Sequence, residues 1–325
     1  MTAALYDLCA IGNALVDIVV PCGDAFLAAN GIAKGAMTLV DDDRAAMLYD
    51  RAGASVEMSS GGSAGNTMAG FVSLGGKGAY LGKVGADTFG GAFAHDLHAQ
   101  GVHFSVSRAT GLGTGRCLVF VTPDAQRSMC TFLGAATEFG PADVDMETIR
   151  GASVTYLEGY LFDKPSAKEA FRLAAKIAHE AGRKLALTLS DVFCVSRHRA
   201  EFLALVYDEV DILFANQNEL LALYETGDLD AAVAAARGHA EISVTTRSEK
   251  GAIVVAGSQT LELSAHPVAH VIDTTGAGDL YAAGFLYGMT QGLDLAEAGR
   301  IGAIAASEVI SHYGPRPQTS LRGLI

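Results

Sequence analysis

Asp273-Thr274-Thr275-Gly276-Ala277-Gly278-Asp279 lies between a short apolar run, Val268 to Ile272, and a helical period through Leu280, Ala283, Phe285 and Leu286. The order reads as strand, glycine turn and helix start, with an acid as the first polar residue of the helix. A helix N-terminus presents unpaired backbone N–H groups and the positive end of the helix dipole. Glycines let an anion approach that backbone closely. Asp279 then has two readings. As a plain N-cap it contributes about 1 kcal/mol and no chemistry. As a carboxylate beside a bound phosphate it is placed to take a proton from an attacking hydroxyl.

Upstream of the turn, short apolar runs alternate with helical periods from about residue 150. Ser153–Leu157, Leu185–Leu189, Asp211–Ala215, Ile242–Thr246 and Ala252–Ala256 read as strands. Ser166–Ala181, Arg197–Val206, Asn218–Tyr224 and Gly278–Gly288 read as helices. Such alternation predicts an α/β fold, a mostly parallel sheet flanked by helices. Ligands then bind at the carboxyl ends of the strands. In the N-terminal third, Asp7–Ile11 and Ala79–Val84 read as core strands, with helices at Ser63–Leu74 and Thr88–Gln100. Val16–Val20, Ala36–Val40, Cys117–Val121 and Ser128–Phe132 lack a following helix. They read as a small antiparallel sheet, a lid over the strand ends. The expected organisation is a single domain over residues 1–325, with lid strands inserted from about 13–40 and 103–132.

Composition narrows the function. The chain has 325 residues, enough for one large domain, and half are hydrophobic. The mean hydropathy is +0.28, yet no run approaches the roughly 20 apolar residues of a membrane span. Met1 to Ala10 lacks the basic start and apolar core of a signal peptide. Five scattered cysteines without C-x-x-C suggest a reduced, cytoplasmic protein. A net charge of −13 without a basic stripe argues against a nucleic-acid surface. Small phosphorylated ligands stay open, because they need only local positive potential.

Three further stretches could carry chemistry. Gly61-Gly62-Ser63-Ala64-Gly65-Asn66-Thr67 precedes an apolar helix. It is either a flexible turn with a Ser N-cap or a second point of backbone approach, where the Asn66 amide offers a donor and an acceptor. Gly12-Asn13-Ala14-Leu15-Val16-Asp17 ends the first core strand, and Asp17 falls in an apolar stretch. A buried carboxylate needs partners, and either sugar hydroxyls or a salt bridge would serve. Asn216-Gln217-Asn218-Glu219 is either a capping box or a water-mediated Mg²⁺ site. Other motifs fail: Gly75-Gly76-Lys77-Gly78 is no Walker loop, and the pairs His95/His98 and His266/His270 lack a supporting ligand set.

Taken together these residues resemble the ribokinase-like (phosphofructokinase B type) kinases over nearly the whole chain. Asp273 to Asp279 matches the C-terminal signature unchanged. Gly61-Gly62-Ser63…Asn66, Gly82-Lys83-Val84-Gly85-Ala86-Asp87…Phe89-Gly90 and Asn216…Glu219 match the other landmarks in order. Within the family the chain looks most like the adenosine kinases, through Gly12-Asn13…Leu15…Asp17, Thr114-Gly115-Arg116-Cys117, Arg127-Ser128, Leu133-Gly134-Ala135-Ala136 and Leu189-Ser190…Phe193. Two places depart from that pattern. Leu161 stands at the position of a stacking Phe, in Gly159-Tyr160-Leu161-Phe162, and Arg300-Ile301-Gly302-Ala303 lacks the polar residue that meets the ATP base.

The resemblance implies a Rossmann-like core with a β-lid, and transfer of the ATP γ-phosphate to a primary hydroxyl. It makes Asp279 the base, and Gly276, Ala277 and Gly278 the anion hole. Asn13, Asp17, Gly62, Ser63 and Asn66 would hold the ribose. Leu15, Leu133, Ala135 and Phe193 would line the nucleoside pocket. Arg127 and Thr275 would serve the phosphates, with Thr245, Arg247 and Gly251 near the nucleotide edge. Asn216 and, through water, Glu219 would organise Mg²⁺. Adenosine is the expected acceptor. A free sugar such as ribose or fructose is the alternative, and a sensing protein without turnover is the non-enzymatic one. The expected partners are small molecules and ATP, on a monomer or homodimer, with no nucleic acid or membrane.

Overall fold

Strand and helix periods become two sheets in the computed structural model, which describes residues 4–53, 57–124 and 126–325. The first part of the chain forms β1 (Tyr6–Ile11), β2 (Leu15–Pro21), α1 (Asp24–Ala29), β3 (Met37–Leu39), α2 (Asp42–Ala52), β4 (Glu57–Gly61) and α3 (Ser63–Ser73). Then come β5 (Gly78–Gly85), α4 (Thr88–Ala99), β6 (His103–Ala109), β7 (Gly115–Val121) and β8 (Arg127–Phe132). The chain continues with α5 (Met146–Arg150), β9 (Ala152–Glu158), α6 (Pro165–Glu180), β10 (Lys184–Thr188), α7 (Val192–Asp208), β11 (Ile212–Asn216) and α8 (Gln217–Tyr224). It ends with α9 (Leu229–His239), β12 (Ile242–Thr246), β13 (Ala252–Ala256), β14 (Gln259–Leu263), α10 (Ala277–Thr290) and α11 (Leu295–Val309).

The large sheet has nine strands in the order β14-β13-β12-β11-β10-β9-β1-β5-β6. It is parallel from β12 to β6, with β13 and β14 added antiparallel. Strands covered on both faces read as continuous apolar runs. In β1, Leu8 and Ala10 face one core with Tyr80, Tyr156, Phe214 and Phe285, while Cys9 and Ile11 face a second with Leu187, Phe171 and Phe202. The two-residue period of a strand thus feeds two helix layers.

The smaller sheet has five strands in the order β3-β8-β7-β2-β4. It is mixed rather than antiparallel: β2 pairs parallel with β7, and β3 parallel with β8. Parallel neighbours need a long crossover, not a hairpin, and the core elements α3 to β6 lie between β2 and β7. The sheet also recruits β4, which no periodicity announces. β6, inside the span expected to begin the second set of lid strands, pairs with β5 in the large sheet.

One expected strand does not form. Residues 268–272 pair with no strand, and Val271 and Ile272 are exposed. β14 takes the sheet edge instead, and the preceding Pro267 has no N–H to offer a ladder. The segment is fixed by Ile272 N–H donating to the Ile310 carbonyl at 2.8 Å, just past α11. No helix among the described residues is long and apolar enough to cross a membrane.

Candidate active site

The glycine turn is set by its neighbours. Asp273 Oδ1 accepts from Thr275 N–H (3.1 Å) and Thr275 Oγ1 (2.7 Å), closing a tight loop. Gly276, at φ +80°, is the N-cap of α10, and a Cβ there would meet Pro315 at 2.9 Å. Only glycine fits both the left-handed backbone and the contact. Asp279 is therefore not the cap but the third residue of α10. Its side chain turns toward α3, one oxygen accepting from Ser63 Oγ at 2.6 Å and the other from Asn66 Nδ2 at 3.0 Å. The turn itself opens outward, since nothing lies within 4 Å of where a Gly278 Cβ would be.

Three more carboxylates gather at these strand ends. Burial pushes Asp279 up to about 6, against the hydrogen bonds from Ser63 and Asn66 and the charge of Arg316. Burial likewise pushes Asp17 up to about 6, while Arg316 and Arg127 pull it down. Asp17 lies over the Gly61 backbone, and among the described residues nothing hydrogen-bonds its carboxylate. Glu158, 1% exposed at the end of β9, accepts from Asn13 Nδ2 and from the α3 backbone at Ala64 N–H, both at 2.8 Å. Burial raises it to about 7. Buried Glu219 also rises to about 7, through burial and the nearby charges of Asp191 and Asp279.

Beside this polar end lies a cavity of about 280 Å³, with Asn13, Leu39, Leu133, Ala136, Tyr160 and Leu161 in its wall. Leu15 is buried against the backbone turns at Gly62 and Gly115. Three expected lining residues, Leu15, Ala135 and Phe193, are not in the wall. Ala135 is fully buried, its N–H held by the Gly113 carbonyl, and the neighbouring Ala136 faces the cavity instead. Phe193, at the start of α7, is 77% exposed. Tyr160 supplies the aromatic surface next to Leu161, and Phe162 turns into the core to stack on Phe202 at 4.4 Å. A wider open hollow of about 400 Å³, by Ser196, Arg199 and Glu225, shares no residue with this site.

Of the residues expected to serve the phosphates, Arg127 of β8 reaches across to Asp273 at 2.8 Å and lies over the Tyr313 ring at 5.9 Å. Asn216 and Glu219 form a complete capping box: Asn216 Oδ1 accepts from Glu219 N–H, and the Glu219 oxygens accept from Asn216 N–H and Nδ2. Among the described residues no cluster of His, Cys, Asp or Glu is placed to grip a metal directly. Thr245 is buried in β12. The Arg247 N–H donates to the Gly251 carbonyl at 2.7 Å, and its guanidinium reaches Glu262 at 3.3 Å, which makes this pair a turn-forming unit of the β12–β13 edge.

Other landmarks are structural. Asp87 caps α4 and accepts from the Thr114 backbone at 2.7 Å, while Arg116 packs between the Phe89 and Phe132 rings. Two site residues escape sequence reasoning. Glu158 stands as a lone acid ending an apolar strand, the same sign that marks Asp17. Arg316 sits in C-terminal coil between two prolines, with no period around it.

Comparison with known proteins places this geometry. A model of the pfkB family carbohydrate kinases matches residues 30–321. The adenosine kinase of Sinorhizobium meliloti is 52% identical, with a TM-score of 0.90 over 99% of this chain and 98% of that one. A probable sugar kinase protein from Rhizobium etli CFN 42 is 49% identical, also with a TM-score of 0.90 and the same coverage. The adenosine kinase of Saccharomyces cerevisiae is 28% identical over 97% of both chains.

Proposed function

The chain belongs to the pfkB family of carbohydrate kinases, phosphotransferases acting on an alcohol, and from that membership we propose that it moves the ATP γ-phosphate to the primary hydroxyl of a nucleoside, adenosine foremost. The observation that favours a nucleoside is the polarity of the cavity. Asn13, Thr137, Asp163 and Lys164 bring polar groups to its wall, while Leu39, Leu133, Ala136, Leu161 and Ala167 supply apolar surface. A ribose with a base attached has that division, and a free sugar does not. The 52% identity to an adenosine kinase supports the same choice. A sugar acceptor is the second reading, favoured by the number of buried acids and by the Rhizobium etli relative.

In this reading Asp279 takes the hydroxyl proton. Ser63 and Asn66 hold its carboxylate in place, and burial gives it a basicity closer to neutral pH, where a general base works best. The backbone at Gly276, Ala277 and Gly278 stabilises charge developing on the transferred group. Asp17, with Gly62 and the Asn13–Glu158 pair, binds the sugar hydroxyls. Arg127 exchanges Asp273 for phosphate oxygens, Thr275 stands beside it, and Thr245, Arg247 and Gly251 border the nucleotide. Mg²⁺ fits the chemistry of Glu219, a buried carboxylate whose remaining lone pairs suit the ion's water shell. When bound, it neutralises phosphate charge. The smaller sheet is read as a lid on a single kinase domain.

Asp279→Asn is expected to lose about 10²–10⁴ in turnover while still binding nucleoside. Wild-type turnover in that variant would sink the assignment. Asp17→Ala is expected to raise the acceptor KM with less effect on kcat, and an unchanged KM removes Asp17 from the sugar site. ATP-dependent ADP release across a panel of nucleosides and sugars decides the acceptor. Turnover with adenosine alone supports the proposal; turnover with free sugars alone overturns it, as does binding without ADP.

A further inference from the structure

Three consecutive residues after α11 each hold a different part of the site. Gly314 N–H donates to Asp273 Oδ2 at 3.0 Å. Pro315 packs against Gly276. Arg316 Nε donates to Asn66 Oδ1 at 3.0 Å. The same guanidinium reaches β4 through Ser60 Oγ (3.0 Å) and the Ser60 carbonyl, and reaches the end of α4 through Gln100 Oε1 (3.2 Å). Ser60 is fixed in turn by Asp96, which accepts from its N–H at 2.8 Å.

An amide side chain has one oxygen and one NH₂ group. With Oδ1 committed to Arg316, Asn66 can present only its NH₂ to Asp279. Arg316 also brings positive charge into an acidic site. The groups facing Asp279 are Ser63 and Asn66 from α3, Asp17 from β2, Tyr156 and Glu158 from β9, Tyr160 beyond it, Glu219 from α8, and Arg316. Of these, Arg316 is the cation.

We propose that Arg316 is a positioning residue for phosphoryl transfer: through Asn66 it fixes the Asp279 carboxylate, and its charge offsets Asp279 and Asp17 before substrates arrive. The proposal rests on Asp279 as the base. It gives the C-terminal segment a role that its sequence does not advertise.

The test is the pH dependence of kcat/KM for Arg316→Met and Arg316→Lys, with the best acceptor from the panel. Removing the charge should move the acid limb of Arg316→Met upward by about one pH unit, which alone lowers the rate at neutral pH about twofold, and loss of the hold on Asn66 should lower kcat further, to about tenfold in all. An ammonium keeps the charge but cannot span Asn66, Ser60 and Gln100 together. Arg316→Lys should therefore keep the limb near its original position while the acceptor KM rises several-fold. An unmoved limb in Arg316→Met overturns the charge role. If that variant does not fold, Arg316→Lys decides alone, and wild-type kcat and KM there overturn the proposal. Asp279→Asn, run in parallel, separates the two readings, because retained turnover in it rejects the base and leaves Arg316 unimplicated.

Discussion

At Asp279 the proposed function would conflict with stability at one residue. Its carboxylate and those of Asp17, Glu158 and Glu219 lie above their unfolded values, at about 6, 6, 7 and 7. These four groups hold more protons in the folded protein than in the unfolded chain between about pH 4 and 7, so the stability they contribute falls as pH rises through that window. Asp279→Asn removes one such charge. Its Tm should exceed wild type by about 2–4 °C at pH 8, with the gap closing toward pH 5. Scanning calorimetry at several pH values checks this, and equal Tm values at pH 8 contradict it. If Asp279 is the base as proposed, activity should run the other way, rising with pH through about 6 as it deprotonates. At this scale the sequence is legible where an acid, amide or hydroxyl stands in glycine or apolar context, as at Asp17, Ser63, Asn66 and Asp279. Arg316 is illegible because its partners lie more than two hundred residues away in the chain.

Elements were legible where a period is long and unbroken. α6 shows its face through Ala167, Ala170, Phe171 and Ala174, all buried. The run Val268–Ile272 has strand-like composition but no neighbour left to pair with, so tertiary context overrides it. β4, Glu57–Gly61, carries too little apolar residue to announce itself, and pairing with β2 makes it a strand. Packing between α10 and α11 depends on absent side chains: a Cβ on Gly284 would meet Gly302 Cα at 2.6 Å. Gly302→Val should force the two helices apart and cost about 1–3 kcal/mol. A urea midpoint unchanged from wild type would show that the helices tolerate the gap.

For the whole molecule, the alternating periods foretold a covered parallel sheet, and four of the five strands of the smaller sheet were readable as runs without helices. Their mixed directions were not, since direction is decided by where the chain goes between strands. It leaves the large sheet for the smaller one and returns at four places: β1 to β2, β4 to α3, β6 to β7, and β8 to the turn at Gly134–Glu138. The first two passages hold Asn13 and the Gly62–Ser63 step. On the proposed reading, the joints between the sheets would also be the points where the acceptor is gripped. The angle between the sheets and the gap from Asp17 to Asp279 would then be one variable, set by the molecule that fills the gap. An acceptor of the right length would act as a gauge block between two jaws. Water, too short to touch both, would leave them slack and the γ-phosphate on ATP.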